Sequence, residues 1–248
     1  MFIVDNFLTE EECDNLLKLT GPSPPKDAGR VIQIHSQSLT SSSKVSSKTR
    51  FSTTWYVRYG CNEVGPLLHN LNRLLPDIQR TQIEEVQLVR YAGPNQGFGW
   101  HYDGLDCSAA AATGGQRIAT LLVYLDANCN GGRTVFRDLV GGCGCGDGED
   151  DGMVNKNNRL AVEPRKGRAL LFFPSAGQDA YGIKDSGWGG EVFVDGTSED
   201  RRTLHAGEPP EGEGGRMVKH IAQLWVHAED HTPVVFGRGL NKHVDAKV

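Results

Sequence analysis

Apolar residues near the start of the chain recur at the spacing of an amphipathic helix. The stretch FLTEEECDNLLKL, residues 7–19, puts Cys13, Leu16 and Leu17 on one stripe. Thr9 is the predicted N-cap, and Glu12 three residues later completes a capping box. The proline-rich segment that follows ends this helix, because proline lacks the backbone N–H that a helix needs.

A second helix is predicted over residues 63–75, and Pro76 ends it. Its apolar positions keep helical spacing, and they are Val64, Leu67, Leu68, Leu71, Leu74 and Leu75.

From residue 84 the pattern changes to short β-branched or aromatic runs bounded by turn residues, which is typical of strands. These runs are residues 84–91, 117–126, 134–137, 160–164, 168–173 and 220–227. Helices followed by many strands favour an α+β fold that is mainly β. The expected core is a sandwich or jelly roll. We predict one domain over residues 1–248, with a helical N-terminal part at 1–83 and the jelly-roll core at 84–228.

Composition excludes several classes of protein. Lys and Arg number 26 against 31 Asp and Glu, and no basic run is present, so a nucleic-acid partner is not expected. The apolar runs are far shorter than the roughly 20 residues that cross a bilayer. No signal peptide is predicted in this chain, although a chain trimmed from a longer precursor would look the same. Compartment (cytoplasm or endoplasmic reticulum lumen) and oligomeric state are left open.

The stretch GFGWHYDGLD, residues 97–106, holds His101 and Asp103 two positions apart. In an extended strand these two side chains point to the same face. A distant histidine, His205, follows Leu204 and opens onto a turn. Two histidines and one carboxylate form the facial triad of non-haem iron oxygenases, which leaves coordination positions open for a cosubstrate and dioxygen.

Lys219 begins an otherwise apolar strand, on the same face as Ile221, Gln223 and Trp225. Such a lysine either extends to solvent or pairs with an anion inside the barrel. Thr120 and Tyr124 likewise share one face of their strand, where both hydroxyl groups are in a position to hydrogen-bond an anion.

Taken in order, several segments resemble the Fe(II)- and 2-oxoglutarate-dependent dioxygenases, and most closely their prolyl 4-hydroxylase branch. The resemblance covers nearly the whole chain. It includes FIVDNFLTEEECDNLL, KTRFSTTW, VRYAGPNQGFGWHYD, GGQRIATLLVYLD, NGGRTVF, EPRKGRALLFF, LHAGEPP and the spacing from Lys219 to Trp225.

This resemblance implies a double-stranded β-helix, cupin-like core and assigns roles to particular residues. His101, Asp103 and His205 would bind Fe(II), and Lys219 would hold the distal carboxylate of 2-oxoglutarate. Further hydrogen bonds to the cosubstrate are implied for Tyr91, Thr120 and Tyr124. Positions that face the peptide in related prolyl hydroxylases are occupied by Arg117, Trp225 and His227.

The implied reaction uses O₂ to convert 2-oxoglutarate to succinate and CO₂ while it hydroxylates a proline of a peptide or protein, with L-ascorbate as a further cofactor. Rival hypotheses are an oxygenase of the same fold that acts on a lysyl residue, a free amino acid or a small molecule, and a peptide-binding protein that has lost turnover. The intact triad and Lys219 speak against the latter.

The sequence departs from the family pattern in several places. The interval from His205 to Lys219 is longer than usual, which we interpret as a loop insertion. Segments 138–158 and 175–197 are long for the family and are expected to reshape the substrate groove. The Ser-rich segment 35–49 is predicted to be a mobile loop that closes over the peptide.

Overall fold

The computed structural model describes residues 1–21, 31–35, 50–140, 159–175, 200–212 and 217–233. The predictions for residues 36–49, 141–158 and 176–197, and for the insertion at 213–216, lie outside these ranges. Among the described residues, no helix is long and apolar enough to cross a membrane.

The first predicted helix is α1, Glu10–Leu17, and its capping box is confirmed. Thr9 Oγ1 accepts a hydrogen bond from the Glu12 backbone at 3.2 Å, and a Glu12 carboxylate oxygen accepts one from the Thr9 backbone at 2.8 Å. These bonds satisfy two backbone donors that the helix itself leaves unpaired. Cys13 and Leu16 are buried, and Leu17 packs partly buried against the same core.

The second predicted helix is α2, Gly65–Leu74, preceded by a 3₁₀ turn at Asn62–Val64. Leu67, Leu68 and Leu71 are buried. Leu74 belongs to the predicted stripe, but it is 37% exposed.

A third helix, α3 at Cys107–Thr113, was not predicted. It has only seven residues, four of them alanine, so it carries no helical apolar pattern, although Asp106 caps its start by accepting from Ala109 N.

Thirteen strands are described, and all their pairings are antiparallel. They are β1 Phe2–Val4, β2 Val31–His35, β3 Thr53–Val57, β4 Val86–Ala92, β5 Phe98–His101, β6 Arg117–Tyr124, β7 Asn130–Gly131, β8 Thr134–Val140, β9 Arg159–Val162, β10 Ala169–Phe172, β11 His205–Gly207, β12 Pro210–Glu211 and β13 Val218–His227. The six predicted strands correspond to β4, β6, β8, β9, β10 and β13.

The strands form a seven-stranded sheet in the order β1-β10-β6-β13-β4-β3-β2 and a four-stranded sheet in the order β5-β11-β8-β9. A two-stranded ribbon of β12 and β7 completes the set. The first 83 residues are therefore not only helical as predicted, because β1, β2 and β3 belong to the large sheet. These strands escaped prediction because β1 is very short and the other two flank the Ser-rich segment.

The two faces of the large sheet have different partners. Its outer face packs on α1 and α2 through a core that includes Leu16, Leu71, Leu121 and Leu224. Its inner face meets the small sheet, where Phe136, Leu160 and Val162 pack against residues such as Tyr124 and Ile221. This arrangement of two facing antiparallel sheets is the one that a jelly-roll core requires.

The ten-residue strand β13 lies at the centre of the large sheet, paired with β4 on one side and β6 on the other. Ile221 points into the inner core, while Ala222 and Leu224 point to the outer one. Because side chains alternate along a strand, Lys219, Gln223 and Trp225 also point inward, as predicted.

Glycine at position 167 is required by both conformation and space. Gly167 has a φ of +79°, and its carbonyl accepts hydrogen bonds from the backbone of Phe7 and Leu8. A Cβ atom there would collide with the Leu8 carbonyl oxygen. Gly93 has nearly the same φ, +78°, but a Cβ atom would meet nothing within 4 Å.

This contrast predicts the cost of alanine at each position. Gly93→Ala should lower the free energy of unfolding by about 1 kcal/mol, the usual cost of a left-handed non-glycine residue. Gly167→Ala should lower the free energy of unfolding by about twice that amount or more, because the collision with the Leu8 carbonyl adds to the cost of the positive φ. Denaturant unfolding of both variants measures the difference, and equal losses would contradict the steric explanation.

Candidate metal centre

Strand pairing between the small-sheet strands β5 and β11 brings the two predicted histidines together. His205 is the direct cross-strand partner of His101, and their ring centroids lie 4.2 Å apart. The His205 ring also packs against Phe136 and Phe172, with centroid distances of 5.5 and 4.9 Å. This packing fixes the plane of the His205 ring.

Asp103 follows the end of β5 and turns its carboxylate between the two imidazoles. One carboxylate oxygen lies 3.6 Å from His101 Nε2 and the other lies 3.8 Å from His205 Nε2. The three candidate ligand atoms lie within 4.8 Å of one another. Asp103 and His205 are each 3% exposed. The prediction that His101, Asp103 and His205 converge is confirmed.

Hydrogen bonds to the backbone orient both imidazole rings. His101 Nδ1 lies 2.7 Å from the Gly99 carbonyl, and His205 Nδ1 lies 2.8 Å from the Thr203 carbonyl. Because a carbonyl only accepts, each Nδ1 carries the hydrogen, and each Nε2 keeps a lone pair for a metal. His101 Nε2 is buried and has no hydrogen-bond partner. Such an orphaned acceptor, beside a carboxylate and a second imidazole, fits Fe(II).

Local electrostatics keep the ligands in the forms that bind metal. Burial, and then the proximity of His205, lower the pKa of His101 to about 3, so the ring is neutral. Burial by itself would raise the pKa of Asp103, but electrostatic interactions with the neighbouring His205, His101 and Arg117 side chains and the hydrogen bond from Thr120 outweigh it and hold the pKa below the ordinary value. The Asp103 carboxyl group is therefore ionised at neutral pH.

Thr120 lies on the predicted inner face, but its hydroxyl is bonded to a protein group. Its hydroxyl donates to a carboxylate oxygen of Asp103 at 2.8 Å, so its single hydrogen is not free for a cosubstrate carboxylate. Thr120 orients the candidate metal ligand instead.

Tyr124 also differs from the prediction. Its hydroxyl lies 2.7 Å from Thr134 Oγ1 and donates to the Val162 carbonyl at 3.1 Å. The phenol is fully buried and its only hydrogen is used within the core. The Tyr124 hydroxyl therefore has no second hydrogen to donate to 2-oxoglutarate.

Lys219 is 2% exposed, and its ammonium group donates to the carbonyls of Gly132 at 2.5 Å and Glu208 at 3.3 Å. None of the described carboxylates forms an ion pair with it. Burial lowers the pKa of Lys219 to about 8, because water no longer solvates the charge. The Nζ atom lies 4.9 Å from the centre of the Tyr91 ring, whose buried phenol has a raised pKa. Of the two alternatives that the sequence left open for Lys219, the structure shows the buried one and not extension to solvent.

Arg117, Trp225 and His227, the predicted peptide contacts, lie together beside Asp103. Arg117 Nε and Nη2 donate to the Glu84 carboxylate at 2.9 and 2.8 Å, and Nη1 donates to the Asp103 backbone carbonyl at 3.2 Å. The guanidinium carbon lies 3.9 Å from the centre of the Trp225 ring. The His227 ring nitrogens lie 3.1 Å from Glu84 Oε2 and 3.1 Å from the Gly115 carbonyl.

Glu84 was missed by sequence reasoning. Burial alone would raise its pKa, but the charge of Arg117 and the hydrogen bond from His227 lower it to about 2. The available signal was the pair of acidic residues that opens a buried strand, since buried carboxylates need cationic partners. The carbonyls of Gly99 and Thr203 left no signal, because any residue supplies a carbonyl.

Comparison with known proteins agrees with this geometry. The family model described as the 2OG-Fe(II) oxygenase superfamily matches residues 86–227. Prolyl 4-hydroxylase 2 of Arabidopsis thaliana is 28% identical over 237 residues, which are 94% of this chain and 69% of that protein. Prolyl 4-hydroxylase 5 of the same plant is 32% identical over 171 residues, 69% of this chain and 56% of that protein.

Among solved structures, one match is a prolyl hydroxylase from Trichoplax adhaerens in complex with a hypoxia inducible factor oxygen degradation domain peptide fragment. It has a TM-score of 0.54 and 18% sequence identity, and the match covers 92% of this chain and 83% of that one. This likeness confirms the predicted jelly-roll fold.

The convergent His-Asp-His set, the buried lysine, the fold and the family match agree, and the chain belongs to the prolyl 4-hydroxylase family of 2OG-Fe(II) oxygenases, which are 2-oxoglutarate-dependent dioxygenases.

Proposed function

We propose that this chain, as a single domain, hydroxylates a proline of a peptide or protein and couples that reaction to conversion of 2-oxoglutarate to succinate and CO₂. The observation that carries the proposal is the buried set of His101, Asp103 and His205. Three ligands on one face leave coordination positions for a bidentate cosubstrate and O₂. When bound, Fe(II) would activate O₂, which is the oxidant, 2-oxoglutarate would supply two of the electrons, and L-ascorbate is proposed to keep the iron reduced.

The residues of the chain prepare the site for that chemistry. His101, His205 and Asp103 hold the metal in a fixed geometry, because two backbone carbonyls and the Thr120 hydroxyl orient them. The Phe136 and Phe172 rings packed around His205 would limit the access of water to a bound metal. A dry site strengthens the electrostatic interactions within it.

Lys219 is the proposed anchor for the distal carboxylate of 2-oxoglutarate. Among the described residues the buried Lys219 ammonium group hydrogen-bonds to neutral carbonyls and forms no ion pair, which favours an anion beside it. Tyr91, on the strand paired with Lys219, is the proposed hydroxyl donor to the same carboxylate.

A peptide is the proposed substrate class, supported by relatives named as prolyl 4-hydroxylases and by the peptide-bound prolyl hydroxylase structure. A proline-rich peptide arrives ordered as polyproline II and loses little entropy on docking. The direct peptide contact that we propose is Trp225, whose indole Nε1 is buried without a hydrogen-bond partner and is suited to donate to a peptide carbonyl.

Product analysis tests the substrate class. The chain is incubated with Fe(II), 2-oxoglutarate and ascorbate and with matched peptides that contain proline or lysine, or with free proline. We expect a mass gain of one oxygen on peptidyl proline together with succinate. Oxygen gain on lysine or free proline alone would favour the rival oxygenases, and binding of peptide without any turnover would favour the non-catalytic hypothesis.

Removal of one ligand tests the metal centre. His205→Ala and Asp103→Ala should all but abolish succinate production, because two ligands no longer hold the metal in the required geometry. His69→Ala, at an exposed position of α2, is the matched control and should keep normal activity. Near-full succinate production in either ligand variant would show that the assignment is wrong.

The pKa of Lys219 predicts how cosubstrate binding depends on pH. Its charged form binds the anion and predominates below about pH 8. The value of kcat/KM for 2-oxoglutarate should therefore fall above pH 8, approaching tenfold per pH unit, since this parameter reports pKa values of the free enzyme.

Lys219→Met supplies the comparison. It should raise the KM for 2-oxoglutarate strongly, leave metal affinity nearly intact and abolish the fall in kcat/KM above pH 8. A variant that keeps the wild-type KM would place the anchor elsewhere.

A further inference from the structure

We propose that Glu84 is a positioning residue for the metal ligand Asp103 and that it acts through Arg117. The inference rests on the proposed metal role of Asp103. It goes beyond that role because it explains what holds the ligand in place, and it gives Arg117 a use other than binding the peptide.

Asp103 needs external support because of where it lies. It follows the end of β5 in a segment, residues 102–106, that has no regular secondary structure. Two residues of strand β6 support Asp103, one at its side-chain carboxylate and the other at its backbone carbonyl. The Thr120 hydroxyl holds the carboxylate at 2.8 Å, and Arg117 Nη1 holds the backbone carbonyl at 3.2 Å.

The Arg117 side chain is long, so its guanidinium group donates steadily to the Asp103 carbonyl only if the plane of that group is fixed. The two-pronged pairing with Glu84 fixes that plane from one edge, and the Trp225 ring covers one face. His227 in turn lies 3.1 Å from the Glu84 carboxylate. All these groups are largely buried, with side-chain exposures of 12% for Arg117 and 11% for Glu84.

Loss of the Glu84 charge leaves a buried guanidinium without its counterion, which is costly. The carboxylate of Asp103 is another negative charge that acts on Arg117. A released guanidinium therefore turns from the backbone carbonyl of Asp103 towards its carboxylate, where it competes with the metal. Both the lost support and the new competition weaken metal binding.

Metal affinity separates this role from substrate binding. A residue that only contacts the peptide changes the KM for peptide and leaves metal binding unchanged. A residue that positions Asp103 changes metal binding even when no peptide is present. Groups that orient metal ligands typically contribute ten- to a hundredfold to affinity.

The experiment titrates the full chain with Co(II), as a probe for Fe(II), by calorimetry and by the absorption bands of the bound ion. Glu84→Gln keeps the shape of the side chain and removes its charge, and we expect its Kd for Co(II) to rise about ten- to a hundredfold. Asp5→Asn is the matched control, because Asp5 pairs with Arg168, another buried arginine, away from the metal centre. It should keep the wild-type Kd.

Arg117→Lys is the second variant, and it decides the outcome if Glu84→Gln does not fold. A lysine keeps a cation for Glu84 but lacks the fork that reaches the Asp103 carbonyl at the same time. It should also weaken Co(II) binding. When Glu84→Gln and Arg117→Lys are combined, the two losses of Co(II) affinity should not add, because both substitutions act through the contact between Arg117 and the Asp103 carbonyl.

Two results would overturn the proposal in different ways. If Glu84→Gln or Arg117→Lys keeps the wild-type Co(II) affinity but raises the KM for the peptide, Arg117 is assigned to substrate binding and the metal centre stays as described. Wild-type affinity in Asp103→Ala would remove the metal assignment itself, and with it the proposed function.

Discussion

The pairing of β11 with β5 is the interaction on which the functional site depends. It sets His205 directly opposite His101, two residues that lie far apart in the chain. Side chains alternate along a strand, so a slip of one residue would turn His205 away from the site. The neighbouring pairing of β11 with β8 holds this register, because it places Phe136 opposite His205. A metal site made from two distant segments therefore depends on ordinary sheet hydrogen bonds.

Burial then determines what the polar groups around this pair are able to do. Inside the protein nearly every donor and acceptor has a partner, because an unpaired buried polar group is costly. Among the described residues, exceptions near the site include His101 Nε2 and Trp225 Nε1, and Lys219 has carbonyl partners but no counterion there. These are the groups to which we assign iron, peptide and cosubstrate. Groups whose hydrogen bonds are satisfied within the protein hold the site together, and we assign ligand binding to the groups that lack such a partner or a counterion.

Much of the fold was predictable because patterns among neighbouring residues indicate most of its helices and strands. The capping box at Thr9 and the apolar runs that became β6 and β13 are signals that a few neighbouring residues produce on their own. The helix α3 and the strands β1 to β3 were missed for other reasons, because α3 and β1 are short and the β-branched and aromatic runs of β2 and β3 flank the Ser-rich segment.

The candidate site shows the same division. The residue types and the spacing of His101 and Asp103 indicated the metal centre. Thr120 and Tyr124 share the predicted inner face, but strand periodicity cannot tell which partner a hydroxyl group chooses. Their hydrogens go to Asp103 and Val162, and only the structure reveals these partners.

Strand β13 gives a physical reason for the predicted pattern, in which the spacing from Lys219 to Trp225 is kept and the interval before Lys219 is longer than usual. Both residues point inward from one central strand that is bonded on both sides. At about 3.4 Å per residue, six residues separate them by roughly 20 Å along the sheet. Thr120, which supports Asp103, is the cross-strand partner of Trp225. The strand therefore fixes the distance between the proposed cosubstrate anchor and the metal ligand. An insertion within it would shift one relative to the other and turn the following side chains to the opposite face, whereas an insertion before Val218 changes neither relation.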